Sequence, residues 1–71
     1  MEIIKKCEIK SSIVDPTVNV VLVWINDNPD WQVLFTYYPN EISFYEDELI
    51  GLTVSDAMRL RFERDLEFLR S

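Results

Sequence analysis

The chain has 71 residues, 48% of them apolar and 28% charged, which is typical of a folded domain. Its length predicts a single small domain over residues 1–71. Thirteen acidic and seven basic residues give a net charge of −6, and histidine is absent. The Ser-His-Asp and Cys-His arrangements of many hydrolases are therefore excluded within one chain.

Features that direct a chain out of the cytosol are missing from the sequence. The one cysteine, Cys7, excludes an intramolecular disulfide. The first six residues turn polar after two apolar positions, unlike a signal peptide. The longest apolar run, Val20 to Ile25, is far shorter than the roughly 20 residues that cross a bilayer. These observations predict a cytoplasmic protein that does not bind membranes.

The first two thirds of the chain predict β-strands. Strands are expected at residues 2–10, 18–25, 31–38 and 42–45. In the first, alternation places Ile3, Cys7 and Ile9 on one side and Ile4 with the lysines on the other. The second is apolar on both faces, as in a central strand.

The third predicted strand alternates most clearly. Trp31, Val33, Phe35 and Tyr37 are expected on one side of it. Turn residues precede it at 26–30 and follow it at 39–41, and short turns join antiparallel strands. The sequence therefore predicts an antiparallel meander of three or four strands.

The last third predicts one helix, at about residues 54–69. Thr53 and Asp56 resemble a capping box, with Asp replacing the usual Glu or Gln. An apolar stripe follows at spacings of 4, 4 and 3 residues and is expected to pack on the sheet; its members are Met58, Phe62, Leu66 and Leu69. Leu60 points away from this stripe. The predicted fold class is thus α+β, an antiparallel meander packed by one C-terminal helix.

No residue pattern indicates catalysis, a cofactor or a metal. A glycine-rich phosphate loop is excluded because Gly51 is the single glycine. Cys7 lies on the apolar side of a predicted strand and is interpreted as a core residue. Asp27, Asn28 and Asp30 lack the glycine and distal glutamate of a calcium loop. We therefore expect a protein that is not an enzyme.

The charges are segregated along the chain. All seven basic residues lie within residues 1–10 or 59–71. The 48 residues between Ser11 and Met58 hold eight acidic residues and no basic one. Such a distribution speeds encounter with basic partners and repels nucleic acid, so direct binding of DNA or RNA is not expected. The helix arginines are expected to pair within the helix, Arg59 with Glu63, Arg61 with Asp65 and Arg64 with Glu67.

Aromatic residues accompany these acids, and apolar surface rimmed by polar groups is typical of protein-binding faces. The sequence predicts a protein–protein interaction module, a regulator or inhibitor that binds a larger basic protein. The predicted contact residues are Asp27, Asp30, Trp31, Tyr37, Tyr38, Glu41, Tyr45, Glu46, Asp47 and Glu48.

Two alternatives remain open at this point. A nucleic-acid mimic needs carboxylates spaced like phosphates, about 6–7 Å apart, and the second strand carries none. A structural homo-oligomer needs a self-complementary face. One helix covers only one face of a sheet, which leaves Val21, Val23 and Ile25, or the residues that alternate with them, for a homodimer to bury.

Overall fold

A computed structural model describes residues 2–26 and 28–70. The elements are β1 (Ile4–Ser11), β2 (Asn19–Ile25), β3 (Asn28–Tyr37), α1 (Glu46–Leu49) and α2 (Val54–Arg70). The strands form one antiparallel sheet in the order β1-β2-β3. This confirms the α+β class, the meander and the C-terminal helix. Within the described ranges, neither helix is long and apolar enough to span a membrane.

The third strand begins earlier than predicted. Asn28 to Asp30 were assigned to a turn but belong to β3, whereas Asp27 lies outside the described residues. Pro29 is tolerated there because β3 is an edge strand, where a missing N–H breaks no ladder. The other strand boundaries differ from prediction by one or two residues, and α2 ends at Arg70 instead of 69.

One face of the sheet, the inner face, carries the core. Residues of all three strands are buried there together with side chains from the second half of the chain; the buried set is Ile4, Cys7, Val21, Val23, Ile25, Phe35, Tyr37, Phe44, Leu49 and Ala57. Of the two sets that the sequence left open for the uncovered face, Val21, Val23 and Ile25 are thus the buried one. Their alternates face outward instead, and these are Val20, Leu22 and Trp24, all half-buried.

Three register shifts interrupt the described strand pairing, one opposite Trp24–Ile25 and two β-bulges, at Lys5 and at Leu34, and these bulges account for the side chains that face inward unexpectedly. Ile4 pairs with Ile25 but Lys6 pairs with Trp24, so Lys5 is an extra residue in β1. An extra residue reverses the alternation, because side chains change sides at every step. Ile4 is consequently buried with Cys7, although the uninterrupted alternation placed the two on opposite sides.

The second bulge lies in β3. Phe35 pairs with Val21 while Val33 pairs with Leu22, which leaves Leu34 as the extra residue. Phe35 therefore faces the core, whereas Val33 is 63% exposed on the outer face. The prediction that Trp31, Val33, Phe35 and Tyr37 share one side is wrong for this reason.

The predicted fourth strand does not form. Residues 42–45 carry no strand pairing and run from β3 to α1, with Phe44 buried against the inner face. The amide of Ile42 donates to the carbonyl of Tyr38 (3.2 Å), and the carbonyl of Ser43 accepts from Arg64 Nη1 (2.6 Å). These backbone groups are satisfied by a turn and a side chain, so the segment needs no neighbouring strand.

The helix α2 begins as predicted but presents a different side to the sheet. Thr53 Oγ1 accepts from the amide of Asp56 (3.1 Å), which caps the first turn. Ala57 is fully buried and Leu60 packs on the core. The predicted stripe faces solvent instead, with Phe62 62% exposed. Ala57 and Leu60 thus occupy the sheet-facing side of α2, and the stripe lies on another side of the helix.

Two arginines complete the contact between α2 and the core. The Arg61 guanidinium lies 5.6 Å from the ring centre of Phe35, and that of Arg64 lies 4.7 Å from the ring centre of Phe44. Arginine stems and planes cover aromatic surface while the charge stays near water. The helix therefore needs few large apolar residues on its sheet-facing side.

Candidate functional site

A groove lies between the segment that follows β3 and one side of α2. It consists of two adjacent pockets, of about 340 and 250 Å³, that share Glu41 and Ile42. Tyr45 lines the larger pocket and Tyr38 lines the smaller one. The structure therefore brings together four residues predicted to contact a partner, Tyr37, Tyr38, Glu41 and Tyr45, of which Tyr37 is buried. We call this feature the groove.

Ion pairs fix the α2 side of the groove. Arg61 Nη1 contacts Asp65 Oδ2 at 2.9 Å, the predicted intrahelical pair, and Arg61 Nε donates to the carbonyl of Thr36 (3.2 Å). Arg64 donates to both carboxylate oxygens of Glu48, from Nη1 to Oε2 at 3.0 Å and from Nη2 to Oε1. Both guanidinium groups are therefore held in place by several acceptors.

The pair of Glu48 and Arg64 shifts the titration of both groups. The hydrogen bond from Arg64 lowers the pKa of Glu48, and the amide of Tyr45, which donates to Oε2 at 2.7 Å, lowers it further. The hydrogen bond to Glu48 in turn raises the pKa of Arg64. Both groups are charged at neutral pH, and the pair ties α1 to α2.

The free charge of the groove is the carboxylate of Glu41. Its backbone amide donates to the carbonyl of Tyr38 (3.0 Å), which closes a tight turn. For its side chain, the described part of the chain supplies no ion pair or hydrogen bond. Tyr38 and Tyr45 are 51% and 75% exposed. The groove therefore presents one unpaired negative charge with an exposed phenol ring in each pocket.

The acidic triplet at 46–48 is not a uniform solvated surface. It forms the single turn of α1. Glu46 Oε2 accepts from the amide of Ile9 on the edge of β1 (2.7 Å), and Glu48 pairs with Arg64. Glu46 and Asp47 are both exposed, and the side chain of Asp47 makes no hydrogen bond or ion pair within the described ranges. Two of these three predicted contact residues therefore stabilise the fold.

Two of the other predicted residues lie outside the groove. Asp30 and Trp31 are near the other end of β3, six residues or about 20 Å from Tyr37. Trp31 packs edge-on against Trp24 on the outer face, with ring centres 5.8 Å apart. Tyr37 is buried, and its hydroxyl accepts from Asn19 Nδ2 (3.3 Å). The ten predicted residues do not form one surface.

The sole thiol has no reactive environment. Cys7 is buried on the inner face, and burial, with a smaller effect of the Glu46 charge, raises its pKa to about 11. A thiol is a nucleophile only when ionised, so Cys7 acts as a core residue. Over residues 2–26 and 28–70, no cluster of three metal-binding side chains occurs.

The positions of several surface residues were not predicted from the sequence. Ile42, Arg61 and Arg64 line the groove because the turn after β3 meets α2, a contact that no local pattern reports. Met58 and Phe62 were assigned to the core but are exposed. One signal was present: Ala57 and Leu60 form a second, narrower apolar side on the same helix.

The fold and the groove define a small acidic α+β protein with an exposed, carboxylate-bearing cleft. Compared with models of protein families, with curated proteins and with solved structures, the chain shows no match.

Proposed function

We propose that this protein is a protein–protein interaction module, a regulator or inhibitor that binds a basic segment of a larger partner in the groove. The observation that carries the proposal is the unpaired carboxylate of Glu41, which borders both pockets and is accompanied by the exposed rings of Tyr38 and Tyr45. A lysine or arginine of the partner would complete this site.

The chemistry of the groove suits a basic side chain. Tyrosine offers a large contact area at a low entropic cost, because only two side-chain torsions are ordered. A cation placed at Glu41 gains a charge-assisted hydrogen bond, and a tyrosine face adds attraction to the same cation. The groove is lined by three carboxylate side chains, Glu41, Asp65 and Glu67, and by two guanidinium groups, Arg61 and Arg64, so its formal charge of −1 favours a cation over an anion.

The net charge of residues 38–71, which form most of the groove, also favours a basic partner. Residues 38–71 contain eight acidic and four basic residues, a net charge of −4 out of the total of −6. This field steers basic proteins toward the groove side of the molecule and weakens with added salt. Nucleic-acid mimicry receives less support, because the charge of Glu48 is paired with Arg64 and the carboxylate of Glu46 accepts from the amide of Ile9.

The test compares the groove with a matched surface position. The partner is captured from the native host with the full chain at low salt, identified and purified. Its dissociation constant is then measured for the wild type, Glu41→Lys and the control Asp47→Lys, which makes the same charge change outside the groove. We expect Glu41→Lys to weaken binding more than about tenfold and the control less than about threefold.

A second pair of variants tests the aromatic contact. Tyr45→Ala removes an exposed ring from the groove, and Trp31→Ala removes one from the far end of the sheet. We expect only the first to weaken binding, by about tenfold. Equal effects of Glu41→Lys and Asp47→Lys, together with no effect of Tyr45→Ala, would overturn the groove as the binding site.

A further inference from the structure

The outward side of α2 carries a row of large apolar side chains. Met58, Phe62 and Leu69 are 45%, 62% and 75% exposed. Their spacings of four and seven residues place them on one face of a helix, with Leu66 beside them. We call these four residues the α2 stripe. A contiguous row of this kind in a chain with 28% charged residues marks a contact surface.

Other exposed apolar residues do not form such a row: Ile13 and Val14, 101% and 95% exposed, lie between β1 and β2, and Val33, 63% exposed, lies on the outer face of the sheet. On the outer face of the sheet, Lys6 Nζ lies 5.1 Å from the ring centre of Trp24, and Trp31 packs against the same ring. The open edge of β3 is interrupted by Pro29 and by the bulge at Leu34, two devices that oppose edge pairing. The α2 stripe has no comparable cover.

Charges beside the α2 stripe have both signs. Arg59 and Glu63 flank it on one side, four residues apart, and neither takes part in an ion pair within the described residues. They cancel, so this face is locally neutral although the whole chain carries −6. Two copies therefore meet here without the like-charge repulsion that other surfaces of the molecule would cause.

We propose that two copies of this chain associate through the α2 stripe, with the two helices antiparallel across a two-fold axis. When the helices cross level with residue 61, Arg59 of one copy is level with Glu63 of the other. The two-fold axis makes this ion pair twice. Met58 then lies level with the gap between Phe62 and Leu66 of the second copy, as a knob enters a hole.

The mixed charges favour a second copy over a foreign protein. A uniformly basic partner meets Arg59, and a uniformly acidic partner meets Glu63. A matching surface needs both signs, in the opposite order along the helix, and this chain provides that order. The α2 stripe is small against the about 800 Å² that each partner buries in a standard interface, so we expect a dissociation constant in the micromolar range.

Sedimentation equilibrium of the full chain tests the dimer. Between about 5 and 500 μM, which brackets a micromolar dissociation constant, the mass should rise from 8.5 kDa toward about 17 kDa. Phe62→Ser should remain monomeric throughout this range, with an unchanged circular dichroism spectrum, because the ring contributes little to the core. Glu41→Lys should dimerise like the wild type, which separates this interface from the groove.

A charge swap tests the antiparallel arrangement. Arg59→Glu and Glu63→Arg each place like charges opposite one another, so each should raise the dimer dissociation constant at least about fivefold. The double variant R59E/E63R restores both pairs and should recover wild-type association. A wild-type mass that stays at 8.5 kDa, a dimer that survives Phe62→Ser, or a double variant that stays monomeric would overturn the proposal.

Discussion

Glu48 on α1 and Arg64 on α2 form a two-point ion pair that fastens the short helix to the long one. The same guanidinium lies over the ring of Phe44 and donates to the carbonyl of Ser43. One side chain thus joins α2, α1 and the segment between β3 and α1. These are also the elements that form the groove.

Replacement of Arg64 should destabilise the fold. Arg64→Met keeps the stem but leaves Glu48 half-buried without its cation, and we expect a loss of about 1–3 kcal/mol in the free energy of unfolding. Arg59→Met is the matched control on the exposed side of α2 and should change stability by less than about 0.5 kcal/mol. Urea melts at low protein concentration measure both. Equal losses of stability in Arg64→Met and Arg59→Met would show that the ion pair does not stabilise the fold.

The pH dependence of stability should report on Glu48. Its pKa is lowered in the folded state, so its contribution is fully present above the unfolded pKa, about 4.3, and is lost as the pH falls through the folded pKa. The stability difference between wild type and Arg64→Met should therefore shrink below about pH 4. Urea melts between about pH 6 and pH 3 test this. A difference that is constant over this range would contradict it.

Cys7 should react slowly in the folded protein. Its pKa of about 11 keeps the buried thiol protonated at pH 8, whereas an unfolded thiol is partly ionised. We expect iodoacetamide to label the native chain at least about 100-fold more slowly than the chain in urea, because labelling requires opening. Rapid labelling without denaturant would contradict the buried position.

The same thiol predicts an effect at alkaline pH. Its folded pKa is raised from 9.0, so its contribution to stability is complete below the unfolded value and declines as the pH rises from 9 to about 11. Cys7→Ala removes the titration. The free energy of unfolding of Cys7→Ala, measured relative to wild type in urea melts, should therefore increase between pH 9 and about pH 11, whatever the difference between the two proteins at neutral pH.

One leucine and one phenylalanine substitution should distinguish the buried side of α2 from its exposed side. Leu60→Ala removes a partly buried side chain and should cost about 1–2 kcal/mol, less than the 2–5 kcal/mol of a fully buried leucine. Phe62→Ala removes a ring that is 62% exposed and should cost less than about 0.5 kcal/mol. Urea melts at low protein concentration keep the chain monomeric. A larger loss of stability for Phe62→Ala than for Leu60→Ala would show that the α2 stripe packs on the sheet.

Glu46 should protect one amide at the edge of β1. Its carboxylate accepts from the amide of Ile9, so Glu46→Ala should speed hydrogen exchange at Ile9 by about tenfold. Asp47→Ala is the matched control, because the neighbouring carboxylate makes no such contact. Amide exchange followed by NMR distinguishes the two. Similar rates at Ile9 in both variants would count against this bond.

Local patterns were sufficient for the order and type of the main elements. β-Branched residues and proline- or asparagine-containing turns predicted the three antiparallel strands that form, together with a fourth at 42–45 that does not, and Thr53 and Asp56 predicted the start of α2. These signals are carried by neighbouring residues, so no knowledge of distant contacts is needed to interpret them. The acidic triplet after β3 was predicted to contact a partner, and in the structure Glu46 and Glu48 contact other parts of the chain.

Which side chains face the core was not decided by those patterns. Strict alternation predicts orientation only while pairing is regular, and the bulges at Lys5 and Leu34 reverse it within β1 and β3. A bulge is a property of two paired strands. Its position depends on the register with β2, which one strand alone does not contain.

The sequence by itself determined the α+β class, the meander, the C-terminal helix and the segregation of charge, because each follows from adjacent residues or from composition. Only the tertiary structure decided that α2 packs through Ala57 and two arginines, that its larger apolar side chains face outward, and that Glu41 lies between two tyrosine-lined pockets. The physical reason is that α2 has two apolar sides, and its contacts with distant parts of the chain determine which of them is buried. Ala57 and Leu60 pack on the core, and the guanidinium groups of Arg61 and Arg64 lie against the rings of Phe35 and Phe44, so the side of α2 that meets the sheet does not include the stripe.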